Sequence, residues 1–73
     1  MHETRQFRIA TLTETIRGHR RTLALKKRIV KIVPPERQDQ VLTQMREIED
    51  KLREMEKELH ELHVQQIREE SAE

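Results

Sequence analysis

The side chains with most chemistry to offer lie in two stretches. The first is a basic run, Arg17, His19, Arg20, Arg21, Lys26, Lys27, Arg28 and Lys31. Helical spacing gathers Arg17, Arg21 and Arg28 on one flank and Arg20, Lys27 and Lys31 on another. Stripes of this kind neutralise phosphates and give salt-dependent binding without reading a base sequence. Arg17, Arg21, Lys27, Arg28 and Lys31 are therefore candidate polyanion-binding residues. Against that reading, no aromatic ring is interleaved to stack on bases, and no helix-turn-helix or ribbon-helix-helix pattern is present. The same cations would also be accounted for by pairing with acidic residues elsewhere in the chain. Basic amphipathic helices also dock on anionic membranes or in partner grooves, but a membrane surface is not the expected partner here.

The second stretch is His60-Glu61-Leu62-His63. His60 and His63 stand three residues apart on one helical face, and Glu56 precedes His60 by four. That spacing can present three ligands to a metal, although it is not the metalloprotease pattern of two histidines four apart with a glutamate after the first. Two histidines near a helix C-terminus, where a positive charge meets the negative end of the dipole, explain it as well. The reading adopted is no metal and no cofactor. Catalysis is not expected either. The one serine is Ser71 near the C-terminus, there is no cysteine, and the acid pairs Glu47/Asp50 and Glu54/Glu58 fall on a face built for water. No small-molecule substrate is evident.

What would position these groups is a pair of helices. Val41, Met45, Ile48, Leu52, Met55, Leu59 and Leu62 recur at steps of four and three, the apolar seam of a coiled coil. Ile9, Ile16, Leu23 and Val30 recur at heptad spacing in the first half. Leu12, His19, Lys26 and Val33 form a less regular companion row. His19 on that seam reads as a satisfied polar residue that fixes register. Pro34 and Pro35 punctuate the chain: Val33 is pushed toward extended backbone, and Pro35 suits the first position of a new helix. The expected architecture is all-α, an antiparallel helical hairpin in a single domain, with helix 1 over about 4–32, a turn at 33–35 and helix 2 over about 36–68. A later start for helix 1, at a capping box of Thr11 and Glu14, is the alternative to a start near Thr4. The β-branched run within Arg28–Val33 allows a strand, but a strand with nothing to pair with. Both chain ends, Met1 to about Arg5 and Glu69 to Glu73, are expected to fray.

If the seams face each other, residues whose numbers add to about 69 lie level across the hairpin. Leu23 then falls near Met45 and Ile48, Arg20 near Glu49, and Arg8 near Glu61. The charge distribution agrees, since residues 1–33 carry nine Lys/Arg against two acids and residues 34–73 carry six against twelve.

One row remains outside this scheme. Leu25, Ile29 and Ile32 lie about 130° around helix 1 from Leu23, Val30 and Val33 by the 100° step of a helix. A lone hairpin leaves them in water, so they are the candidate oligomer interface of a homodimer, most economically a four-helix bundle.

Seventy-three residues are too few for a deep core, and Phe7 is the one aromatic residue. Forty per cent of the chain is charged, a composition that favours disorder unless an apolar period is sustained, as it is here. No apolar leader or membrane-length run is present, and a cytoplasmic location is the default expectation. The functional expectation is a non-enzymatic interaction or assembly module, regulatory or scaffolding, whose partners are a second copy and another protein. The alternative is a nucleic-acid-binding accessory protein that uses the basic first helix.

Overall fold

The computed structural model describes residues 4–72. Two helices account for nearly all of them: α1, Arg5–Ile29, and α2, Pro35–Ser71. They lie against each other as an antiparallel hairpin, 59 Å along its longest axis. Among the described residues there is no strand, and Arg28–Val33 runs from helix into turn.

Thr4 starts α1. Its backbone is extended, and its hydroxyl accepts from the Phe7 N–H at 3.1 Å, satisfying one donor that the first turn leaves open. The longer of the two expected starts is therefore the observed one, and Thr11 lies inside the helix. α1 stops at Ile29, earlier than the expected Ile32. The cause lies four residues ahead: a continuing helix would need N–H donors from Pro34 and Pro35 to reach the carbonyls of Val30 and Lys31, and proline has none. The chain tightens instead, with Ile32 N donating to Ile29 O at 3.0 Å. The stranded Val30 carbonyl is taken by the Gln38 side-chain amide at 3.4 Å.

α2 opens with Pro35 at its first position and Glu36 in its first turn, where an acid suits the positive end of the dipole. It continues to Ser71, past the expected Arg68. Glu69 should weaken that last turn, but Arg5 at the start of α1 grips its carboxylate with both terminal guanidinium nitrogens. The pair joins the first turn of α1 to the last turns of α2. Of the ends expected to fray, residues 1–3 and Glu73 lie outside the described residues.

Between the helices the seams meet as spaced. Leu12, Ile16 and Leu52 are buried, and Ile9, Leu23, Val30, Val41, Met45, Ile48, Met55, Leu59 and Leu62 are half-buried on the same faces. Three buried side chains are a thin core. The companion row is polar where the sequence says it must be: the His19 ring Nδ1 donates to its own helix at Thr15 O, 2.9 Å away, and Lys26 donates to Gln44 at 2.8 Å.

The hairpin exposes 6219 Å², against about 4,800 Å² for a compact monomer of 8.9 kDa. Its radius of gyration is 16.8 Å, against about 11 Å for a compact chain of this length.

Candidate functional surfaces

Two surfaces on α1 carry the residues singled out by the sequence. The apolar one is open to water. Leu25 is 56% exposed and Ile32 is 82% exposed, with Ile29 half-buried between them. Leu25 and Ile29 belong to α1, whereas Ile32 extends the row into the turn. The sequence did not flag Phe7, yet it is 62% exposed, the largest uncovered ring or aliphatic group at the other end of α1. By the helical step Phe7 falls on the same side as Leu25. That signal was present in the spacing, because Phe7, Thr11, Gly18, Leu25 and Ile29 share one stripe. Space around Gly18 is open, and a Cβ added there would meet nothing within 4 Å.

The basic surface divides into paired and unpaired cations. Arg5 pairs with Glu69, Arg8 with Glu58 and Arg20 with Glu56, all between helices. Arg17 instead pairs within α1, with Glu14 at 2.8 Å. The partners of Arg8 and Arg20 differ from the expected Glu61 and Glu49. Being level along the axis did not decide the pairing. Glu56 lies one heptad from Glu49 on the same side of α2, and the long Arg20 side chain meets it along the axis. Arg21, Lys27, Arg28 and Lys31 are exposed and have no hydrogen-bond or ion-pair partner among the described residues. The uncompensated positive charge therefore gathers on the outer side of α1 and toward the turn.

Two carboxylates feel their partners. The hydrogen bonds from Arg8, the nearer at 2.5 Å, hold the Glu58 carboxyl below its ordinary 4.5, with a smaller opposing effect of desolvation. Glu69 is lowered in the same way by hydrogen bonds from Arg5, whose own pKa rises in return.

Beside the Arg20–Glu56 pair runs an open groove of about 590 Å³. Ile16, Ala24 and Leu59 give it an apolar lining, and Arg17, Arg21, His60 and His63 stand around it. Glu56, the third ligand of the metal pattern, is already engaged by Arg20. No three His, Asp or Glu side chains among the described residues come together as a metal site. The acid pairs Glu47/Asp50 and Glu54/Glu58 stand outside this groove, and Asp50 is held by Arg53 of the next turn.

No described helix is long and apolar enough to cross a membrane. No protein-family model, curated protein or solved structure matches the chain.

Proposed function

We propose that this protein is a non-enzymatic helical assembly module, acting by association of hairpins into a four-helix bundle. The carrying observation is the apolar row of exposed Leu25 and Ile32 with half-buried Ile29 between them, on a hairpin whose core, among the described residues, buries three side chains. The surface area supports the same reading. An excess of roughly 1,400 Å² over a compact monomer is the amount a partner of similar size could remove. A homodimer serves this end with no further component, and a closed pair of hairpins also leaves two outer acidic helices for contact with another protein. A cytoplasmic location suits such a module.

The test is the dependence of stability on concentration. An associating protein has a thermal midpoint that rises with protein concentration, since the partner binds the folded form. Replacing Leu25, Ile29 and Ile32 together with Gln should abolish that dependence while leaving the hairpin helical. A wild-type midpoint that stays fixed across the micromolar range would contradict the reading.

A second reading, an accessory protein for nucleic acid, is favoured by one observation: Arg21, Lys27, Arg28 and Lys31 are exposed and have no acidic partner among the described residues. Changing Lys27, Arg28 and Lys31 to Gln should then weaken binding to labelled duplex or single-stranded nucleic acid. It should flatten the logarithmic salt slope by up to about three contacts. Absence of binding at low salt would dismiss this second reading.

A further inference from the structure

The groove beside the Arg20–Glu56 pair has α1 for one wall and α2 for the other, and its charge is one-sided. Three arginines and two histidines line it, against a single acid, Glu56. Arg20 already holds that acid at 2.7 Å, so its charge is neutralised within the hairpin. From this arrangement we propose that the groove receives an acidic amphipathic helix of another protein, laid along the hairpin. The proposal gives the assembly module a second docking surface and does not depend on the pairing of hairpins. By the helical step Ala24, in the groove, lies about 100° around α1 from Leu25.

Shape comes first. A helix docks in a groove through an apolar stripe that meets an apolar floor. Ile16 and Leu59, both residues of the seam, form that floor. Ala24 is exposed on the α1 wall, and its short side chain leaves the space beside it open. The groove holds about 590 Å³. Its α1 wall runs from Thr13 to Ala24, about 16 Å at 1.5 Å per residue, or about three helical turns. That length accepts the i, i+3, i+4 and i+7 anchors of a docked helix. The opposite edge of the hairpin is already bridged, by Arg8 with Glu58 and by Lys26 with Gln44.

Charge selects the occupant. On the α1 wall Arg21 has no ion-pair partner among the described residues, and Arg17 holds Glu14 of its own helix through one guanidinium nitrogen. On the α2 wall His60 and His63 are exposed and have no hydrogen-bond partner among the described residues. Carboxylates along both edges of an incoming helix would meet these groups, and a basic helix would be repelled. A second copy does not offer such a helix. The apolar stripe of α2 is turned to α1, and among the described residues α2 exposes Leu42 and Ile67 as its large apolar groups. A nucleic acid would bring phosphates to the arginines and nothing apolar to the floor of Ile16 and Leu59.

The probe is a fluorescein-labelled synthetic peptide of about fourteen residues, with leucines at helical spacing flanked on both sides by glutamates. Its binding to the full chain is read by fluorescence anisotropy. The controls are a scrambled peptide of the same composition and a version with lysine for every glutamate. The acidic helix should bind. Replacing both Arg17→Glu and Arg21→Glu should weaken it by at least about tenfold and make the lysine peptide the better ligand. Ala24→Gln keeps a good helix former, puts a longer side chain in the groove, and should weaken binding with no change of charge. The chain with Leu25, Ile29 and Ile32 replaced by Gln should bind the peptide as the parent does. Loss of binding in that chain would place the peptide on the apolar row and overturn the proposal. So would absence of binding at up to about 1 mM peptide, or equal binding of the scrambled peptide. A DNA duplex that displaces the peptide at equal concentration would give the groove to nucleic acid instead. None of these outcomes alters the molecular mass by which pairing of hairpins is judged.

Discussion

At the scale of single residues, stability should be concentrated in few places. Leu52 is buried at 7% exposure whereas Ile67, on the same helix, is 61% exposed. Truncating a buried leucine to alanine costs about 2–5 kcal/mol, which approaches the whole stability of so small a domain. Leu52→Ala should therefore lose most of its helical signal at temperatures the parent tolerates, while Ile67→Ala should stay within about 0.5 kcal/mol of the parent. Thr4→Ala should fall between them, at about 1 kcal/mol, for the loss of the cap to Phe7 N–H. Thermal melts followed by circular dichroism check all three. Equal effects of Leu52→Ala and Ile67→Ala would show that the seam is not where the hairpin is held. Spacing alone identified Leu52 as a seam residue. The identity of the capping threonine did not follow, because Thr4 and Thr11 both precede plausible first turns and only the seam residue Ile9 favoured the earlier one.

At the scale of the helices, ion pairs across the hairpin act as an acid-sensitive clasp. Glu58 and Glu69 have folded pKa values below the ordinary 4.5, each because an arginine of α1 donates to it. A group whose folded pKa is depressed contributes stability above its unfolded pKa and loses that contribution as pH falls through the folded one. The thermal midpoint should therefore hold near neutrality and decline once the pH drops below 4.5. Glu58→Gln should show a shallower decline than the parent. A midpoint that rises on acidification in that window would contradict the clasp. These pairs also show how far the sequence could be read. The opposite charges of the two halves made helix-to-helix pairing expected, but Arg20 meets Glu56 rather than Glu49, one heptad away on the same side of α2, because a long side chain reaches along the axis. The end of α1 escaped for a related reason. The effect of Pro34 on Val33 is local, whereas the missing donors of Pro34 and Pro35 act four residues back, at Val30 and Lys31.

At the scale of the molecule, the hairpin is long, thin and unevenly charged. The seam accounts for one face of α1, the pairs with Glu56, Glu58 and Glu69 for parts of its edges, and the stripe from Phe7 to Ile32 for the side left in water. The sequence showed half of that stripe, Leu25, Ile29 and Ile32, because apolar residues cluster there. The other half is Phe7, Thr11 and Gly18, and Gly18 counts toward the stripe only once the space beside it is known to be open. Covering this stripe with a second hairpin is the central claim, and molecular mass in solution tests it most directly. Sedimentation of the full chain at micromolar concentration should give twice 8.9 kDa for the parent and 8.9 kDa for the chain with Leu25, Ile29 and Ile32 replaced by Gln. A fully helical parent that sediments as a single 8.9 kDa species would contradict the account.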